Sequence, residues 1–207
     1  MHKTLSRGLT AGLIGNILFV LFAFVCFIFY KSYVPDSTGS NTLEVIAYLC
    51  LFSGFGMLIF SDVCICRTVR MRQWLKFGFT AYIVMEALMM YLELNSYKYE
   101  SFYEPYSLML AILHAVFSAA ICLTFVSLDP DKKCLEVMVI ITIGMILCGM
   151  LGNLMGIRIY FSILTNAVAL TVLFASLKYM MKREMIEIDC HGDRARVAEY
   201  NSNTFFE

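Results

Sequence analysis

The chain has 207 residues, of which 60% are hydrophobic and 15% charged, and its 16 Lys and Arg balance its 16 Asp and Glu. Its mean hydropathy of +0.74 excludes an ordinary soluble domain. A net charge of zero says nothing about partners, but the distribution of that charge says a good deal.

We read the chain as all-α. It is expected to be a polytopic membrane protein, a compact bundle of six transmembrane helices with the N-terminus and C-terminus cytoplasmic. The apolar segments run over about 9–30, 45–66, 77–94, 106–128, 134–156 and 159–181. Each is roughly 20 residues, enough to cross a hydrocarbon core about 30 Å thick. Residues 1–181 would form the membrane domain and 182–207 a short, partly disordered cytoplasmic tail. So compact a chain points to the plasma membrane of a bacterium.

The first apolar run follows Lys3 and Arg7 but is too long for a signal-peptide core and lacks a small-residue cleavage site, so it reads as a retained span. Gly8, Gly12 and Gly15, with Asn16, give its first half a small-residue face on which another helix can lie closely. The loop after it carries Pro35, Gly39 and several hydroxyl residues, a turn composition.

The second segment ends with Asp62 about one turn before Arg67, where the acid is expected to reach water or to pair with Arg67, Arg70 or Arg72. Cys64 and Cys66 share that turn, but their spacing matches no recognised zinc pattern. The eight cysteines contain no C-x-x-C pair and read mainly as small apolar packing residues.

Orientation follows from Lys and Arg, which gather in cytoplasmic loops. With the N-terminus inside, thirteen of the 16 face the cytoplasm, and only Lys31, Lys98 and Arg158 lie outside. The loop from Arg67 to Lys76 is the strongest of these anchors, with Trp74 at headgroup level.

The third segment carries Glu86 near its middle. An ionisable group at that depth costs a few kcal/mol unless it is neutralised or partnered. Tyr82, Glu86, Met89, Met90 and Glu93 recur at three- and four-residue spacing and so form one stripe. The loop beyond, rich in Tyr and Glu, reads as an interfacial aromatic belt.

In the fourth segment lies His114, the single histidine within any span. Glu86 is eight residues from the outer end of its segment and His114 eight from the outer end of the next. Both therefore sit about 12 Å below the outer boundary at 1.5 Å per residue. Antiparallel neighbours joined by a short loop can bring them into contact. Asn166, seven residues into the sixth segment with Thr165 beside it, falls in the same layer. The candidate proton- or ligand-binding residues are thus Glu86, His114, Asn166, Tyr82 and Glu93.

The fifth segment places Gly144, Cys148, Gly152 and Gly156 at four-residue intervals. This small-xxx-small pattern reads as a packing seam, within the protein or across a dimer interface. The tail mixes both charge signs and is too short for an effector domain.

A carboxyl and an imidazole in a low-dielectric layer can share one proton, because desolvation disfavours the charged form of each. Such a pair relays protons or changes charge when a cation arrives. The plain alternative is a neutral, hydrogen-bonded clamp between the third and fourth helices. Enzyme readings find no support: there is no Gly-x-Ser-Gly nucleophile motif, no Gly-rich phosphate loop, and too few acids for a metalloprotease. Met85, Met89, Met90 and Met109 near the layer read as core filling ahead of soft-metal ligands.

The function expected is that of a transporter or a substrate- or ion-binding membrane component, with a polar site in the outer half of the bundle. The alternative is a non-catalytic membrane sensor or accessory protein that docks a partner through its helices or tail. Expected partners are the lipid bilayer, a small molecule or cation, and a membrane protein or second copy; no nucleic acid, cofactor or resident metal is implied. Six spans with both ends inside resemble, in architecture alone, the substrate-binding subunits of energy-coupling-factor vitamin importers. That resemblance transfers no residue.

Overall fold

The computed structural model describes residues 3–32, 38–69, 73–94, 100–126, 133–155 and 159–183. Among them are six α-helices and no strand: α1 Lys3–Ser32, α2 Thr38–Thr68, α3 Gln73–Leu94, α4 Glu100–Val126, α5 Lys133–Leu154 and α6 Ile159–Lys182. Each helix holds one of the apolar runs read from the sequence. Four are long and apolar enough to cross a membrane, over Lys3–Ile28, Asn41–Thr68, Lys133–Gly152 and Phe161–Lys182, and α4 carries a shorter apolar stretch over Ile112–Leu123. These features are compatible with a membrane-embedded protein.

The helices start earlier than the apolar runs do. α1 begins at Lys3, α2 at Thr38, α3 at Gln73 and α4 at Glu100, ahead of Pro105. Hydropathy marks where a side chain prefers hydrocarbon, whereas the backbone ladder continues into the polar flanks as long as each N–H finds its carbonyl four residues back.

Packing runs around a ring, α2 to α1 to α6 to α5 to α4 to α3, closed by a thinner contact between α3 and α2. α6 also touches α3 and α4 over short stretches, so it is the helix with neighbours on most sides. Its buried residues Ile163, Ala167, Leu170, Phe174 and Leu177 form the centre of the core. Phe174 meets Phe125 of α4 edge-on, with ring centroids 5.5 Å apart.

The other helices show a clear division between faces. On α1, Phe19, Phe22 and Cys26 are buried while Ile14, Ile17, Leu21, Phe24 and Ile28 are exposed, three or four residues apart in each set. An exterior this apolar is suited to lipid and unsuited to water.

The glycine face of α1 does the packing expected of it. A Cβ on Gly8 would lie 2.7 Å from the Cβ of Cys64 on α2, and one on Gly15 would lie 3.1 Å from the carbonyl oxygen of Gly54. A Cβ on Gly12 would run into the ring of Phe174 and the hydroxyl of Ser61. The close approach of α1 to α2 and α6 therefore depends on the absence of side chains there.

Of the seam read on α5, within the protein or across a dimer interface, Gly152 lies on the inward face, whereas a Cβ on Gly144 would have no neighbour within 4 Å among the described residues and Cys148 is exposed, so those two point away from the bundle. The close approach of α5 to α6 occurs instead at Gly149, where an added Cβ would collide with Thr165. Leu135, Val139, Thr142, Ile146, Gly149 and Gly152 form the inward face. One residue of offset is a 100° rotation about a helix, and Thr165 of α6 sets which small residue it meets. Gly156 lies outside the described residues, as does the tail beyond residue 183 with Cys190 and His191.

Candidate functional site

Three helices each turn a polar side chain into the same buried layer. On α3, Phe79, Tyr82, Glu86 and Met89 lie on the inward face, and Tyr82 and Glu86 are both 0% exposed. On α4 the buried face runs His114, Ser118, Ile121, Cys122 and Phe125, and on α6 it runs Ser162, Asn166, Ala167 and Leu170. Helical periodicity alone thus delivers Tyr82, Glu86, His114 and Asn166 to one place.

There they touch. His114 Nε2 contacts Glu86 Oε2 directly. Asn166 Nδ2 lies 3.3 Å from the Tyr82 hydroxyl, 3.5 Å from Glu86 Oε2 and 3.2 Å from His114 Nε2. The Tyr82 and His114 rings are stacked at 6.1 Å between centroids, 19° from parallel. Two acceptors in this layer have no partner among the described residues, Glu86 Oε1 and Asn166 Oδ1. A buried acceptor left unpaired costs about 1–3 kcal/mol, so the arrangement is not the most stable way to hold three helices together.

Depth counted from sequence brought Glu86, His114 and Asn166 to a common level, and they do meet; the reason for the level needs adjusting. His114 lies fourteen residues into α4, because that helix starts at Glu100, whereas Glu86 is eight residues from the end of α3. On helical rise alone, α4 projects about 9 Å further than α3 on that side. The cluster lies nearer the end of the bundle at which α3 ends and α6 begins.

Not every residue of the expected layer joins it. Thr165 donates to the carbonyls of Phe161 and Ser162, at 3.0 Å each, and packs toward α5. Ser118 donates to the backbone oxygen of His114 at 2.7 Å and is thereby occupied. Glu93 is in the last turn of α3, but its side chain lies outside the described set, as do those of Met90 and Trp74. Met89 is buried beside the cluster, whereas Met109 is exposed. Among the described residues no three His, Cys, Asp or Glu side chains gather as a metal site.

Asp62 has different partners from those expected. It accepts from the Cys66 thiol at 3.0 Å and from the Thr80 hydroxyl of α3 at 3.2 Å. Arg67 is exposed and makes no ion pair with it, and Arg70 and Arg72 lie outside the described residues. A hydroxyl on the next helix is closer to hand than a guanidinium that can extend into water. Asp62 thus ties α2 to α3 where those two helices meet most thinly.

A second buried polar spot, at α1 and α2, was only half visible in the sequence. Asn16 Nδ2 donates to the Gly12 carbonyl at 2.8 Å, and neither Asn16 Oδ1 nor Ser61 Oγ has a partner among the described residues. The signal for Ser61 was its place in an apolar span, masked by the acid that follows it.

No known family, curated protein or solved structure matches this chain. The architectural resemblance to the importer subunits therefore lends the site no argument, and its chemistry rests on its own residues.

Proposed function

We propose that this chain is an integral membrane protein whose six helices all cross the bilayer, with both termini cytoplasmic, in a plasma membrane. It acts as a transporter or as the substrate- or ion-binding component of one. Thirteen of 16 Lys and Arg on one side of such a bundle support the topology. The shortest helices, 22 residues each, extend about 33 Å, sufficient for a span.

The observation that carries the functional reading is the buried carboxyl of Glu86. It is met by His114 and Asn166 from two other helices and still has one oxygen unpartnered. Intramembrane acids of this kind mark ion paths, proton relays and ligand sites. The cluster joins α6 to the α3–α4 pair where those helices otherwise touch little. A change of charge there alters the contact most easily remade.

The test is thermal stability of purified wild type and Glu86→Gln in detergent, against cations and small metabolites. A ligand at 100 times its Kd adds about 2.7 kcal/mol, or about 5–11 °C in Tm for a chain of this size. Stabilisation of wild type alone supports a site at Glu86; identical responses in the two proteins reject it.

A second reading has its own observation. Among the described residues nothing lies within 4 Å of a Cβ on Gly144, and Cys148 is exposed, so this outward face of α5 is open, as an accessory protein that docks a membrane partner through its helices requires. On that reading Gly144→Leu abolishes association and Glu86→Gln does not.

A further inference from the structure

Hydrogen-bond accounting within the cluster identifies the kind of ligand it can take. The donors are one hydrogen shared between Glu86 Oε2 and His114 Nε2, two on Asn166 Nδ2 and one on the Tyr82 hydroxyl. The single in-plane position of His114 Nε2 is used by Glu86, whichever partner carries the hydrogen. Asn166 Nδ2 then gives its hydrogens to the Tyr82 oxygen and Glu86 Oε2. What remains is two unpaired acceptors, Glu86 Oε1 and Asn166 Oδ1, against one donor, the hydrogen of the Tyr82 hydroxyl, so acceptors still outnumber donors in the cluster.

Turning the Asn166 carboxamide through half a turn does not remove the surplus. Its oxygen would then accept from Tyr82, its NH2 would lose its acceptors, and Glu86 Oε1 would be unpartnered as before. The deficit at Glu86 Oε1 is therefore independent of how the amide is set. That oxygen belongs to a side chain that is 0% exposed, so water outside the bundle does not supply the missing donor.

An anion adds acceptors to a site that already has too many. A divalent ion would leave a positive charge uncompensated beside a single carboxylate, and no set of His, Cys and carboxylates that could hold one gathers among the described residues. A single positive charge supplies what is lacking and leaves a carboxylate beside a neutral imidazole formally compensated, which a low-dielectric interior requires.

We propose that the cluster binds one small monovalent cation, a proton or a desolvated alkali or ammonium ion, at Glu86 Oε1, with the Asn166 carboxamide turning its oxygen toward it. This rests on the reading of the cluster as a ligand site and adds the sign, valence and size of the ligand. The titratable groups facing it among the described residues are Tyr82 and Glu86 from α3 and His114 and Cys122 from α4; α6 contributes only the neutral Ser162 and Asn166. No charged group among the described residues of α1 or α5 is buried against it.

The experiment is infrared difference spectroscopy of the carboxyl bands on full-length protein in lipid bilayers under buffer exchange. One arm steps pH in choline chloride. A second replaces choline by sodium, potassium or ammonium at constant pH, and a third replaces chloride by phosphate or sulfate. A carboxyl signal in the first or second arm that vanishes in Glu86→Gln supports the proposal, and the arm identifies proton or ion. A Glu86-dependent signal in the anion arm alone overturns the cation assignment and leaves a ligand site standing. No Glu86-dependent signal in any arm overturns both. Asn166→Asp guards against a Glu86 variant that fails to fold. A second carboxylate at the unpartnered amide oxygen tightens the apparent affinity at least about fivefold, the effect of two unit charges roughly 4 Å apart in water, and an unchanged or weaker affinity contradicts the assignment.

Discussion

The glycine face of α1 gives the sharpest quantitative test of the fold. In Gly8→Ala the new Cβ would lie 2.7 Å from the Cβ of Cys64, against about 3.5–4.0 Å for carbon atoms in favourable contact. Neither Cβ can rotate away, since each is bonded to its backbone, so α1 and α2 must separate by about 1 Å. Overpacking of this kind costs about 1–3 kcal/mol. Replacing Gly by Ala in a helix also gains about 0.8–1.0 kcal/mol of propensity, which would obscure the loss if Gly8→Ala were measured alone. Gly56→Ala on α2 is the matched control, because nothing lies within 4 Å of its would-be Cβ. The propensity gain is common to both, so their difference isolates the overpacking. At about 2–4 °C per kcal/mol for a chain of this size, Gly8→Ala melts about 2–12 °C below Gly56→Ala. Thermal melting of the two variants in one detergent, followed by circular dichroism, reads that difference directly. Equal melting temperatures would refute the packing of α1 on α2 through Gly8.

Two further predictions concern the cluster and the topology. His114→Leu leaves the Glu86 carboxyl buried without its hydrogen-bond partner, a loss of about 1–3 kcal/mol, whereas Glu86→Leu with His114→Leu recovers most of it. A double-mutant cycle in which the two changes are simply additive contradicts the contact. Cys134, exposed at the start of α5, is cytoplasmic in the proposed topology. As the sole cysteine of a variant, it reacts with a membrane-impermeant maleimide only after cells are permeabilised, and labelling of intact cells rejects the orientation.

Much of this fold was legible because six apolar runs separated by short polar loops leave few alternatives. The Glu86–His114 pair was legible for a different reason. Rare polar residues in apolar helices mark an approximate depth, and two on consecutive antiparallel helices at similar depth meet when both face inward, as Glu86 and His114 do. The inward face of α5 was not legible, since a helix apolar nearly all round carries no moment to orient it. The four-residue spacing of Gly144 and Cys148 suggested one face, and contact with Thr165 selected another. Similarly, the sequence offered Asp62 water or an arginine, and the structure gives it Cys66 and Thr80. Local sequence shows which partners have the right sign but not which neighbouring helix supplies a hydroxyl. The closed state of the layer, with four polar side chains sealed from solvent, follows from packing of α6 against α3 and α4 and had no local signature.

The central claim is that the Glu86 cluster handles a ligand and is not merely a clamp. The most direct measurement is ion movement in proteoliposomes holding wild type or Glu86→Gln, with an imposed pH or sodium gradient and a pH-sensitive dye in the lumen. Wild type is expected to carry protons or cations, alone or with a co-supplied metabolite, and a Glu86→Gln protein of unchanged fold is expected not to. Equal traces from wild type, Glu86→Gln and empty vesicles would contradict it and leave the cluster as a hydrogen-bonded clamp between α3, α4 and α6.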